Sequence, residues 1–223
     1  MKKHCLPLFA LLLVCASAAA QTPSRGGRAG TNEFYISPLF TDSKNFTFDG
    51  GTTAHTDNGY GFGFGFARNF NANFAAGVEF GWSDIYYRTT MQGTGGNAGQ
   101  TLNSSGNIST GTIRFNGTWN ILSGPLTPLL TAGAGWTHIY TDIPAGPPQN
   151  SCWYYPWYGP ICTSYIPTQN TTKFSYNGAV GIRADVGNWM FRALANAQKV
   201  DIGGAQGDGY WTQYRLDFGI RFR

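Results

Sequence analysis

A chain of 223 residues with 31 glycines, 16% aromatic and only 12% charged residues is poor material for an ordinary soluble domain, in which charge approaches a quarter of the residues. The aromatic content excludes a disordered glycine-rich polymer, and the length suits one all-β domain better than two modules. The formal charge of +4 loses two units if Lys2 and Lys3 leave with a leader, and the arginines are scattered singly, so no nucleic acid partner is expected.

Lys2, Lys3 and His4 precede an apolar stretch from Leu6 to Val14, broken only by Pro7, and Ala18, Ala19 and Ala20 supply small residues for a signal peptidase. Residues 1–20 are therefore predicted to be a cleaved signal peptide, because the apolar stretch is far short of the roughly 20 residues that span a bilayer as a helix. A retained anchor, or lipidation at Cys15, is the alternative. Residues 21–32 are polar and glycine-rich and read as a flexible tail, and residues 33–223 as one barrel domain.

Strands follow in chain order. The first runs from Glu33 to Phe40. In the second, Gly59, Gly61, Gly63 and Gly65 alternate with Tyr60, Phe62, Phe64 and Phe66, which puts every ring on one face of a strand and every glycine on the other. The third carries Phe74, Ala76, Val78, Phe80 and Trp82 on one face; the fourth carries Ile113, Phe115, Gly117 and Trp119; the fifth carries Leu130, Ala132, Ala134 and Trp136. Phe174 to Ala184, Phe191 to Ala197, and Tyr214 to Phe222 complete eight strands. The short connections, Arg68–Asn73, Asn120–Pro125 and Gly187–Asn188, alternate with long ones, Thr41–Asn58, Arg88–Gly106, Thr141–Thr172 and Asp201–Gly209. This alternation predicts a closed antiparallel eight-stranded transmembrane β-barrel in a bacterial outer membrane, with short periplasmic turns and long extracellular loops.

The apolar faces of these strands hold no Asp, Glu, Lys or Arg, whereas the alternate positions hold Glu79, Arg114, Arg183, Asp185, Arg192, Arg215, Asp217 and Arg221. A soluble barrel would place its charges the other way round. Phe74, Trp119, Trp189 and Phe222 fall near short turns, and Trp82, Trp136, Tyr140, Tyr210 and Trp211 near long loops, as two lipid-interface belts require. A soluble β-sandwich is the structural alternative.

The signal peptide, the strand pattern and the final strand Tyr214-Arg215-Leu216-Asp217-Phe218-Gly219-Ile220-Arg221-Phe222 together resemble the small outer-membrane barrel superfamily of OmpA-type, OmpX-type and opacity-like proteins. The resemblance implies that Tyr214, Leu216, Phe218, Ile220 and Phe222 form the signal read by the barrel assembly machinery, although Arg223 follows the last aromatic residue. It implies contact with outer-membrane lipid and lipopolysaccharide. A cell-wall tether of the OmpA kind is not expected.

Eight strands enclose a space that side chains fill, so a wide diffusion pore is not expected. Glu79 and Arg114 are predicted to pair inside the barrel, Asp185, Arg192 and Asp217 to form a second cluster, and Glu33 to meet Arg221 where the first and last strands close. Such a network can replace a hydrophobic core, since each interior charge needs a partner; a narrow channel for small solutes is the alternative.

Cys152 and Cys162 lie in the longest loop of a chain that crosses an oxidising compartment, and a disulfide is expected. Between them stand Trp153, Tyr154, Tyr155, Trp157 and Tyr158, an aromatic knob suited to an extracellular glycan or host-surface ligand, because rigid rings give contact area at low entropy cost. Packing of these rings on the barrel rim is the competing expectation. No cofactor, metal or catalytic residue is expected: the cysteine spacing is wide and the loop lacks histidine. His138, read as the only histidine on a strand, has no serine two positions away as resemblance to the lipid A deacylases would require, and reads as a belt residue; His55 with Asp57 reads as an ordinary solvated loop.

Overall fold

The computed structural model describes residues 27–48, 53–92, 101–144, 149–157, 159–165, 168–200, 205–206 and 210–223. The expected signal peptide and Cys15 lie outside them. The described regular structure consists of thirteen strands: β1 (Asn32–Thr41), β2 (Lys44–Phe48), β3 (Thr53–Thr56), β4 (Gly59–Asn69), β5 (Phe74–Gln92), β6 (Thr101–Asn120), β7 (Leu126–Pro144), β8 (Gln149–Tyr155), β9 (Gly159–Tyr165), β10 (Thr168–Val186), β11 (Trp189–Val200), β12 (Ala205–Gln206) and β13 (Tyr210–Phe222).

Eight of these close a barrel. Neighbours pair antiparallel in the order β1-β4-β5-β6-β7-β10-β11-β13, and β13 returns to β1 with Asn32 opposite Phe222 and Phe40 opposite Tyr214. Closure leaves the wall without an edge strand, which a bilayer demands because lipid offers no hydrogen-bond partner. Exposure alternates without a break along β13 from Tyr210 to Phe222. Outward stand Phe62, Phe115, Leu130, Val180, Leu216 and Phe218; inward and buried stand Glu33, Glu79, Arg114, Asn116, Arg183, Arg192 and Asp217. The outer wall is chiefly apolar and the interior chiefly polar, apart from buried apolar clusters at Leu129, Ala179 and Leu194 and around Trp211. Trp119, Trp189 and Phe222 mark the periplasmic belt and Trp82, Trp136 and Tyr140 the extracellular one, all on the outer face.

Two glycines show what the backbone asks for. Gly187 has φ +60° in the two-residue turn between β10 and β11, where glycine at the first central position suits the twist of the flanking strands. Gly135 lies so close to β6 that a Cβ would stand 2.8 Å from Arg114 Cα.

The long connections are less loop-like than the sequence suggests. β5 and β6 stay paired out to Gln92 opposite Thr101, roughly 30 Å beyond Trp82 at about 3.3 Å per residue. β7 and β10 pair out to Pro144 opposite Thr168. In the first and last long connections, β3 pairs with β5, β2 with β3, and β12 with β2, so the wall continues past the belt. The expected tail is also corrected at its end: Arg28 and Thr31 are buried, Asn69 N donates to Thr31 O at 2.8 Å, and Asn32 already belongs to β1.

Candidate functional site

Two places carry chemistry: the barrel lumen and the hairpin of β8 and β9. At mid-height in the lumen, Glu79 and Arg114 are register partners on β5 and β6, and Arg114 Nη2 lies 2.5 Å from Glu79 Oε1. The other carboxylate oxygen takes Arg215 Nη1 from β13 and a longer bond of 3.4 Å from Asn116 Nδ2. Arg215 Nε is 2.8 Å from Asp217 Oδ1, Arg192 Nε is 2.8 Å from Asp217 Oδ2, and Ser37 Oγ donates to Asp217 at 2.7 Å. The Arg192 guanidinium also sits 4.1 Å over the Tyr35 ring.

A second cluster lies toward the periplasm. Arg183 is fully buried and holds both Glu33, through Nη1 to Oε2 at 3.3 Å, and Asp185, through Nε at 3.0 Å. Asn69 Nδ2 donates to Glu33 at 2.7 Å. Arg28, from the segment before β1, reaches Asp185 at 3.5 Å and donates to the carbonyls of Leu122 and Gly124 at 2.8 Å each. Burial first, and then the neighbouring Arg183, lower the Arg28 pKa; Asp185 opposes them. This guanidinium ties the segment before β1 to the turn between β6 and β7.

The expected Glu79–Arg114 pair is present, and so is Arg192–Asp217. Asp185 instead pairs with Arg183, Arg28 and, at 3.9 Å, Arg221. Glu33 stands opposite Arg221 in register, yet its carboxylate turns across the lumen to Arg183 while Arg221 donates to Gly187 O. Arginine is long enough to prefer a chelating partner on a distant strand over the residue beside it. Arg28, Arg183 and Arg215 are the members of the network that pairing by neighbour left out.

The extracellular end of the lumen is apolar. Phe46 of β2, Ile139, Val200 and Trp211 pack together with Ala54 and Ile108, the rings of Phe46 and Trp211 meeting at 6.2 Å and 89°. Trp211 was expected in the outer belt beside Tyr210; adjacent residues of a strand face opposite ways, and it is Trp211 that turns in, 5% exposed. Near this rim, burial and then Asp142 raise the Tyr87 pKa.

The hairpin is a separate two-stranded sheet in which Gln149 pairs with Tyr165 and Tyr155 with Gly159. Cys152 and Cys162 stand opposite one another and are joined by a disulfide. Trp157, in the turn, is 89% exposed and Tyr154 73%. Trp153 and Tyr155 lie on β8 by backbone position, and Tyr158 lies outside the described residues.

The two histidines among the described residues make local contacts. His138 Nδ1 is 2.6 Å from Thr172 Oγ1 and its ring packs on Tyr140 at 4.2 Å. His55 is also on a strand, β3, correcting its assignment to a loop; it sits 3.1 Å from Asp57 Oδ1, and Arg88 Nη2 lies 2.8 Å from both oxygens of Asp57. Among the described residues no group of three or more His, Cys, Asp or Glu converges as metal ligands would.

A closed barrel with a lipid-suited exterior, a charged and packed interior and long arms on one side is an outer-membrane protein, inserted through its strands. The chain belongs to the outer membrane protein beta-barrel domain family, whose model matches residues 7–222. No curated protein sequence matches it. Among solved structures, the outer membrane protein OprG of Pseudomonas aeruginosa is 14% identical with a TM-score of 0.54, covering 90% of this chain and 100% of that one. Ail, the attachment invasion locus protein of Yersinia pestis, in complex with the heparin analogue sucrose octasulfate, is 14% identical with a TM-score of 0.45, covering 87% and 99%. The N-terminal barrel domain of Pseudomonas aeruginosa OprF is 14% identical with a TM-score of 0.40, covering 88% and 100%.

Proposed function

We propose that this is a non-enzymatic barrel that recognises a ligand at the cell surface through the disulfide-joined aromatic hairpin, with an extracellular glycan or host-surface molecule as partner. The observation that carries the proposal is the exposure of Trp157 at the hairpin turn, 89%, beside Tyr154 at 73%. An indole held in water by a stapled turn is a preordered contact surface, and such aromatic anchors dominate binding energies. The mutual pairing of the buried interior charges supports a structural role for them. Protein in lipid nanodiscs, tested on a glycan array and on host-cell membranes, is expected to bind, and Trp157→Ala and Cys152→Ser to weaken binding at least tenfold. Binding unchanged in both variants would sink the hairpin's role. Lipid A of unaltered mass after expression, with His138→Ala as control, is expected if no acyl chemistry occurs.

A narrow channel is the second reading, and one observation favours it. Each lumen cluster brings three arginines to two carboxylates, Arg114, Arg192 and Arg215 with Glu79 and Asp217, and Arg28, Arg183 and Arg221 with Glu33 and Asp185. Such a path would prefer anions. Single-channel steps altered by Glu79→Gln would support it; electrical silence would support the plug.

A further inference from the structure

The sequence pattern puts Arg68 in a turn, but β4 runs on to Asn69, and Arg68 is left on the outward, lipid-facing side with Phe62, Phe64 and Phe66. Across the wall the outward residues form one row. Phe222 stands opposite Asn32, Asn32 opposite Arg68, and Arg68 opposite Ala76. Beside it, Phe66 stands opposite Val78. A small side chain next to a long one leaves a hollow: Asn32, Phe66, Arg68, Ala76, Val78 and Phe222 are among the residues that line a crevice of 370 Å³ whose surface is mostly apolar. That lies within the lower range of small-molecule sites, roughly 300–1,000 Å³.

The charge at its rim has little protein to satisfy it. Arg68 Nη1 donates to the Asn32 carboxamide oxygen at 3.1 Å, and among the described residues no carboxylate pairs with this guanidinium. The other donors of its planar fork are shaped for two oxygens of a carboxylate or phosphate. Arg68 is the penultimate residue of β4 and Phe222 the last of β13, both beside the short turns, so the rim lies at the headgroups of the periplasmic leaflet with the apolar floor toward its acyl chains. We propose that this crevice binds one glycerophospholipid of the periplasmic leaflet, an acyl chain lying over Ala76 and Val78 between Phe66 and Phe222, and the phosphate held by Arg68.

Native mass spectrometry tests it, on protein moved from vesicles of phosphatidylethanolamine and phosphatidylglycerol into detergent and washed. Unboiled gel migration selects folded barrel for every variant. Wild type is expected to keep one phospholipid per barrel. Arg68→Gln removes the charge and leaves the hollow; Ala76→Phe fills the hollow and leaves the charge. Each is expected to cut retention at least fivefold, and Arg68→Lys to restore part of the loss. The proposal requires both losses: a wild type that keeps no lipid, or retention unchanged in either variant, overturns it.

Discussion

Replacing Glu79 by alanine is expected to be the most damaging single change in the lumen. Glu79 is 2% exposed and holds two guanidiniums, those of Arg114 and Arg215. After Glu79→Ala, Arg215 retains Asp217, but Arg114 keeps only a 3.2 Å bond to the neutral oxygen of Gln198. Removing one partner of a buried pair costs about 3–5 kcal/mol because the other charge stays buried without compensation. With an m-value near 2 kcal/mol per molar, the urea midpoint should fall by about 2 M. The exposed Arg88–Asp57 pair, whose arginine side chain is 61% exposed, is the internal control: Asp57→Ala should cost less than about 1 kcal/mol, a shift below about 0.5 M. Urea titrations in phosphatidylcholine vesicles, followed by tryptophan fluorescence and unboiled gel migration, measure both. Equal midpoint shifts for the two variants would refute the claim that the lumen network replaces a hydrophobic core.

Three further outcomes follow from the geometry. Gly135→Val should leave no heat-shifted folded band, because the added Cβ meets backbone of β6, with Arg114 Cα at 2.8 Å; a normal band would contradict the close approach. Cys152→Ser should release about 2–3 kcal/mol of loop entropy for an 11-residue segment, speeding proteolysis of the hairpin while the barrel's urea midpoint stays put, since β8 and β9 form their own sheet. Arg28→Ala removes charged bonds to the Leu122 and Gly124 carbonyls, worth about 1.5–3 kcal/mol each when the donor is charged; protease added from the periplasmic side should then cut ahead of β1, and a segment as resistant as wild type would show that Arg28 does not hold it.

Period-two alternation made the eight wall strands legible, because lipid outside and a polar lumen inside leave each position only one suitable face. The same period reveals the Glu79–Arg114 pair, whose members are neighbours in register. It fails where reach decides. Arg183 on β10 meets Glu33 on β1 across the lumen, and Arg28 arrives from outside any strand, so neither follows from which strands adjoin. Composition alone misplaces Trp211: two aromatics beside each other look like a belt, although only one can face lipid. β2, β3 and β12 are short, and little in their sequence signals that Phe46 and Ala54 turn inward to pack with Trp211. The hairpin's cysteines and rings are legible from spacing and residue type.

The most direct test of the barrel with its displayed hairpin is protease added to intact cells, followed by gel analysis of boiled and unboiled outer-membrane fractions. The expected result is heat-dependent migration together with cleavage between Cys152 and Cys162 from outside the unbroken cell. Cleavage that appears only after the cells are permeabilised, or a protein whose migration does not change on boiling, would contradict both the orientation and the surface role.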